Sequence, residues 1–406
     1  MSNVSIVTDS NNQADWPGTE TVERKGYGHP DTLCDQISEL TSVLYCQFCI
    51  KHFGLVAHHW FDKVMLIGGE ADIGFNEGRL LTPYEVILAG KAATWVGDIE
   101  IPVTAIFKQA AISVLLTTLR NFSPDKDLLV TNRVRSGRGP GQAPSRYRPA
   151  NANDLNGVSD AELVSNDCNV CSAYFPLSIL EEMVLNVDEY LLHGEGAEHF
   201  DYLGSDIKTV GWRKGTLFSL VVNVPFIADC VASYADYMEE CDALEEHLGA
   251  WLLSRWDQPT ELVINPERRW KRAYLTVTGT VADTGDVGVT GRGNRMNGLI
   301  TPGREMSIEA VAGKNPLDHT GKLYNALASN IAKTVYEAAG YPCRVGISTV
   351  KGAPLKSPVD VNVVISAPTD KLKELESRVK TIVDAQLARV HEISTDFIRG
   401  GVIRVC

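Results

Sequence analysis

The chain predicts an α+β fold, mixed sheets covered by helices, and the order of its local patterns is the first reason. Segments with helical and strand-like periodicity are mixed along the 406 residues but do not follow the strict alternation of a doubly wound sheet. The second reason is an absence in the sequence. The glycine-rich run Gly291–Gly298 is not followed by the helix and distant acid that a dinucleotide site needs. No Gly-x4-Gly-Lys-Ser/Thr phosphate loop occurs either. The third is scale: an apolar fraction of 44% and a charged fraction of 22% are those of an ordinary globular chain.

In chain order, apolar residues at Leu33, Ile37, Leu40, Leu44 and Phe48 recur every three or four positions and predict an amphipathic helix over Thr32–Phe53. Val64–Gly69 reads as a strand, Val86–Val96 and Thr104–Leu119 as helices, and Leu128–Asn132 as a strand. Residues 133–156 carry five arginines, several Gly and Pro, and no acid before Asp154. The segment has neither period, so a flexible loop is expected. It can be read as a plain surface loop, a basic flap over an anionic substrate, or a nucleic-acid arm; the last is weakened by having no aromatic beyond Tyr147. Ile179–Leu192 and Tyr237–Trp256 predict helices, with a strand at Thr216–Phe226. Arg272–Val281 predicts a strand that feeds a glycine loop at 285–298. A helix over Asp318–Ala338, strands at Val345–Val350 and Val359–Ile365, and one long helix over Leu372–Ile393 complete the reading. No internal repeat is visible.

Net charge −13 argues against a general nucleic-acid or anionic-membrane surface. No apolar run approaches the roughly 20 residues that cross a bilayer, and residues 1–16 carry no signal-peptide pattern, so a cytoplasmic location is expected. Nine scattered cysteines are expected to be reduced thiols, most of them in the core. The pairs Cys46/Cys49 and Cys168/Cys171 have metal-like spacing but lie too far apart for a zinc ribbon.

Two dense runs fit neither core nor solvated surface. Residues 22–31 pack Glu23, Arg24, Lys25, His29 and Asp31 around two glycines and a proline, and residues 291–322 concentrate Gly, Arg, Asn, Lys and His. Both read as loops in which charge of both signs converges on a phosphate-rich ligand. The runs Val-Glu-Arg-Lys-Gly-x-Gly-His-Pro-Asp, Gly-Arg-Gly-Asn-Arg-x-Asn-Gly-Leu-Ile-Thr-Pro (291–302) and Met-Ser-x-Glu-Ala-x-Ala-Gly-Lys-Asn-Pro (306–316) resemble the archaeal-type S-adenosylmethionine synthetases (methionine adenosyltransferases). His319, Gly321-Lys322-x-Tyr324-Asn325, Gly204-x-Asp206-Ile-Lys208 and Pro176-Leu177-Ser178 extend the likeness along nearly the whole chain.

That resemblance implies a pseudo-threefold, three-part fold. Residues 1–20 would be an N-terminal extension and 21–406 a catalytic unit of three interleaved subdomains, acting as a homodimer with sites between subunits. It also implies that methionine sulfur attacks C5′ of ATP and expels triphosphate, which is then cleaved. By the same resemblance His29 lies at the leaving oxygen and Asp31 is a Mg2+ ligand. Lys208 touches the ribose–triphosphate bridge, with Asp206 on the ribose. Arg292, Lys314 and Lys322 grip phosphates near His319. Asp167 and Asp286 face the adenosyl and methionine side, and Lys25, Asp62, Arg295 and Asn315 join the substrate-binding set. A K+ site is common in that family, but no ligand for one can be assigned in this sequence.

The departures gather around the amino-acid substrate segments. His-His-Asn-Thr-Asp-Gln becomes His58-His59-Trp60-Phe61-Asp62-Lys63. The Gly-Gln-Gly-Ser loop is replaced around Gln142, Thr-Ser-Phe-Gly by Cys168–Cys171, and Asp318 stands for an Asn. Trp60 and Phe61 therefore admit a second reading, transfer to a nucleophile other than methionine, through an apolar or cation-binding wall.

Overall fold

The computed structural model describes residues 3–9, 18–137, 145–155 and 163–400. In chain order its elements are β1 (Asn3–Thr8), β2 (Thr19–Lys25), α1 (Pro30–Phe53), β3 (His59–Ile67), β4 (Glu70–Gly74), β5 (Glu77–Thr82), β6 (Tyr84–Ala92), β7 (Trp95–Val96), β8 (Ile99–Glu100), α2 (Val103–Thr118), α3 (Pro124–Asp127) and β9 (Leu128–Asn132). Next come β10 (Asn169–Phe175), α4 (Ile179–His193), β11 (Lys208–Lys214), β12 (Leu217–Asn223), β13 (Phe226–Ile227), α5 (Tyr234–Trp256), β14 (Thr260–Ile264), β15 (Leu275–Thr276) and β16 (Val287–Val289). The chain closes with α6 (Thr320–Ala339), β17 (Cys343–Thr349), β18 (Asp360–Ile365), α7 (Leu372–Ala388) and α8 (Val390–Arg399).

Three 4-stranded sheets organise these elements, in the orders β16-β3-β6-β9, β14-β12-β11-β2 and β1-β18-β17-β10. Each joins a central antiparallel pair to one parallel edge strand and one antiparallel edge strand. Each is covered on one face by two helices, α1 with α2, α4 with α5, and α6 with α7. A separate apolar core fills each sheet–helix layer. The antiparallel edge always precedes the helix that covers the next sheet: β2 leads into α1, β10 into α4 and β16 toward α6. The three units are thereby interlocked through exchanged edge strands.

Several local expectations need correction. Val86–Val96 is not a helix. Tyr84, Val86 and Leu88 alternate into the core with half-exposed neighbours, the period of a strand, and Tyr84–Ala92 is β6. Leu372–Ile393 is not one helix, because the chain turns at Arg389 between α7 and α8. Only Leu275–Thr276 of the expected strand at 272–281 pairs. Residues 22–31 are not a loop throughout: the first part is β2 and the last is the start of α1. Asn3–Thr8, within the expected N-terminal extension, lies parallel to β18, Val4 opposite Val361. Of the Arg-rich segment, Arg135 bridges to Lys91 and Ala152–Asp154 form a 3-10 turn, while 138–144 lie outside the described residues.

Candidate active site

The site is built on helix α1. The turn that precedes it rests directly on residues 205–207: a Cβ at Gly26 would lie 2.4 Å from the Ile207 carbonyl oxygen, and one at Gly28 2.1 Å from Ser205 Oγ. His29 caps the helix, its Nδ1 accepting the Asp31 N–H at 3.1 Å. Burial lowers the His29 pKa to about 4, against the pull of the Asp31 charge. The ring is therefore neutral near pH 7. With Nδ1 acting as acceptor, its one proton is on Nε2, a hydrogen-bond donor.

Asp31 is engaged at both oxygens, with Val289 N–H on Oδ1 at 2.9 Å and Lys25 Nζ on Oδ2 at 2.8 Å. Lys25 Nζ also donates to the Arg292 carbonyl at 2.7 Å. Directly opposite Lys25 in the β2–β11 register stands Lys208, whose Nζ is 3.1 Å from Glu23 Oε1. Asp206 is buried and accepts from Val281 N–H at 2.9 Å and Thr280 Oγ1 at 3.3 Å. Burial pushes its pKa up to about 7 despite those bonds. Asp286 and Arg292 are exposed, and the Asp286 charge acts on both His29 and Asp206.

Carboxylates at 31, 35 and 39 share one face of α1, since a four-residue step returns to the same side of a helix. Each pins part of the 287–322 run. Asp35 Oδ1 accepts from Gly291 N–H at 2.7 Å, and Glu39 accepts from Gly313 N–H at 2.9 Å. Gly293 sits so close that a Cβ would meet Asp35 Oδ2 at 2.3 Å. Asn294 exchanges two bonds with the Lys25 backbone at 2.9 and 2.7 Å, and Arg295 N–H reaches the Leu299 carbonyl at 2.9 Å. Lys322, expected on a phosphate, is instead fully buried with Nζ 2.6 Å from both Glu39 oxygens.

A second cluster forms along the same helix. β3 is bulged between Trp60 and Lys63, which lets Phe61 and Asp62 both be buried. Phe61 faces the core, stacked on His59 at 5.0 Å and edge-on to Tyr45 at 5.1 Å. Asp62 points to Lys314 Nζ at 3.1 Å, and that ammonium also pairs with Glu309 at 2.5 Å. Trp60 pairs its backbone with Lys314, and its ring lies 5.8 Å from His319 and 6.4 Å from Tyr147. His319 caps α6 as His29 caps α1, with Nδ1 accepting Gly321 N–H at 3.2 Å; burial lowers its pKa to about 3. Asn315 Nδ2 reaches His58 Nδ1 at 2.9 Å. Asp318 pairs with Arg146 NH1 at 2.9 Å, and burial pushes its pKa up to about 6.

Helix α1 thus brings together Lys25, His29, Asp31, Lys208, Asp206 and Asp286 near its start, and Asp62, Lys314, Trp60, Asn315 and His319 further along. Asp167 is exposed and its Oδ1 accepts the N–H of its neighbour Cys168 at 2.8 Å. Gln142 lies outside the described residues. Sequence reasoning missed Asp35, Glu39 and Glu309; the four-residue spacing from Asp31 was the available signal for the first two. Cys46, Cys49 and Cys171 are buried free thiols. Among the described residues no group of three or more His, Cys, Asp or Glu could hold a metal by itself. No helix of the described residues is long and apolar enough to cross a membrane.

Neutral histidines and paired cations thus converge on one helix. Residues 2–401 match the family model for S-adenosylmethionine synthetase (AdoMet synthetase). The chain is 34% identical over 397 residues to the S-adenosylmethionine synthase of Aeropyrum pernix, covering 94% of each chain. It is 34% identical over 399 residues to that of Methanocaldococcus jannaschii, covering 95% of each. A solved structure described as an unusual S-adenosylmethionine synthetase from Campylobacter jejuni shares the fold, with a TM-score of 0.57, 15% identity and 93% of each chain covered. The chain belongs to the S-adenosylmethionine synthetase family.

Proposed function

We propose that the enzyme forms S-adenosylmethionine from ATP and L-methionine, releasing triphosphate that it then hydrolyses. The observation that carries this reading is His29, a neutral N-cap histidine with Nε2–H available, set among Lys25, Lys208 and Asp31. Sulfur is nucleophilic without a general base, so the barrier lies in the leaving group. As the S–C5′ bond forms, the C5′–O5′ electron pair moves onto O5′. The His29 Nε2–H would donate to that oxygen, and Lys208 would offset the growing charge. Lys25 and Lys314 would bind phosphate oxygens, each leaving a carboxylate or carbonyl partner to do so, exposed Arg292 would join them, and Asp206 would accept from ribose hydroxyls.

Mg2+ needs only one or two carboxylates when phosphate supplies the other oxygens. Asp31 fits that role, its Oδ2 already facing a cation, the Lys25 ammonium, with exposed Asp286 nearby. The ion would neutralise triphosphate charge. The reading is of a cytoplasmic homodimer: Met65, Val170 and Val287 are exposed on strands whose buried neighbours face the helices, so these sheet faces await cover. Transfer to a different acceptor is not favoured, since Phe61 belongs to the core and the relatives carry the synthase name.

The test is incubation of pure protein with ATP and magnesium, with and without methionine, followed by mass spectrometry. S-adenosylmethionine and stoichiometric phosphate plus pyrophosphate are expected only when all three are present. ATP consumption without that product would overturn the reading.

A further inference from the structure

Four buried polar atoms beside the second cluster find no hydrogen-bond partner among the described residues: Trp60 Nε1, Asn166 Nδ2, Asn166 Oδ1 and Asp318 Oδ1. They belong to one neighbourhood. Asn166 N–H donates to the Asp318 carbonyl at 3.2 Å. Asp318 Oδ2 lies 3.7 Å from His58 Nδ1, and the His58 and Trp60 rings are 6.1 Å apart. Tyr147 is edge-on to both rings, and Trp60 touches His319, the residue after Asp318. An unpaired buried donor or acceptor is costly and rare, so four in one place are expected to meet a ligand.

Their chemistry selects its kind. Two are donors and two are acceptors, and the walls between them are aromatic. The four atoms carry no positive charge, which a triphosphate would need, and the cations beside them are engaged: Arg146 with Asp318, Lys314 with Asp62 and Glu309, and Lys91 over the Tyr147 ring. An α-amino acid presents an ammonium to two acceptors and a carboxylate to two donors, and a thioether suits aromatic walls. Trp60 and Asp318 also stand where the resembling motifs carry Asn, so the set is particular to this chain.

We propose that Trp60, Asn166 and Asp318 are specificity-determining residues that read the zwitterionic head of the sulfur substrate. Asp318 Oδ1 and Asn166 Oδ1 accept from its ammonium; Trp60 Nε1 and Asn166 Nδ2 donate to its carboxylate. Arg146 is a positioning residue, holding the other Asp318 oxygen. The proposal rests on the methionine-using reaction proposed above.

The experiment compares wild type, Trp60→Phe and Asp318→Asn in steady-state kinetics with methionine and with 4-(methylsulfanyl)butanoate, which lacks the α-ammonium. Trp60→Phe keeps the ring and deletes one donor; it should raise KM for methionine about tenfold while KM for ATP moves less than about twofold. Asp318→Asn should raise KM for methionine and shrink the wild-type preference for methionine over the desamino analogue by about tenfold. A merely structural role would move both substrates' KM together and leave that preference unchanged. Either result, or an unaltered methionine KM in both variants with native circular dichroism, overturns the proposal. Wild type that makes no S-adenosylmethionine would instead sink the underlying reading.

Discussion

Replacing Glu39 by Gln should unfold the enzyme far more readily than a surface change would. Lys322 has no solvent exposure, Glu39 is only 12% exposed, and Nζ lies 2.6 Å from the carboxylate. Nearby, the Phe397 ring is 4.6 Å from the ammonium and supplies a cation–π contact, which cannot replace a counter-ion. Breaking a buried pair by removing one partner costs about 3–5 kcal/mol, because the other charge is left desolvated. Gln keeps a carbonyl for Gly313 N–H, so the lower end of that range, about 3 kcal/mol, is expected. Urea denaturation followed by tryptophan fluorescence reads it.

The pH dependence has a definite sign. Burial already lowers the Lys322 pKa from its ordinary 10.5, opposed by Glu39. Without Glu39 it falls further, so between the folded and ordinary values the unfolded chain binds more protons. Variant stability then rises with pH, and the deficit narrows toward pH 10. Adding Lys322→Met should restore most of the loss. A deficit below about 1 kcal/mol, the scale of exposed pairs, or one that is flat with pH, refutes the reasoning.

Three further outcomes are expected. Lys208→Ala should cut turnover by a few orders of magnitude by mass-spectrometric assay, while costing less than about 1 kcal/mol of stability, since its pair with Glu23 is 39% exposed at the lysine; an unchanged rate removes Lys208 from the site. Burial pushes the Asp35 pKa up to about 7 from 3.8, so the folded state holds a proton that the unfolded chain releases, and this group makes stability fall as pH rises through that window. Asp35→Asn, which can still accept from Gly291 N–H, should flatten that slope and exceed wild type above pH 7; parallel stability–pH curves would contradict it. Gly313→Ala, which at an unstrained site would stabilise by up to about 1 kcal/mol, should instead destabilise by more than that and lower the melting temperature, because its φ is +73° and a Cβ would meet Ser38 Oγ at 2.1 Å; a wild-type melt would show that this turn yields.

Helices with wide apolar faces, α1, α2, α4 and α6, were legible because burial follows their period. Val86–Ala92 misled because a short apolar run suits either period, and only its partners β3 and β9 decide for a strand. The threefold plan was visible only through the family resemblance and not in the periodicity, because edge strands are exchanged between units and no contiguous stretch contains one whole sheet. At the site, charged residue types were legible but their pairing was not. Lys322 reads as an ordinary phosphate-binding lysine until Glu39, on another helix, is found against it. Phe61 looked like part of a substrate wall because the bulge that turns it inward is a property of β3 pairing with β6.

The parallel pairing of β1 with β18 has a consequence for how the polypeptide is made. β1 precedes every other described strand yet completes a sheet with β10, β17 and β18, and its only neighbour there, β18, is synthesised about 350 residues later. Until then β1 has no native neighbour in its sheet, and the third apolar core cannot close. The first sheet's central strands can pair early, but it too waits for β16. Closure of this third layer should therefore wait for the synthesis of β17 and β18, with β1 a late-docking strand that nascent-chain chaperones would meet unpaired.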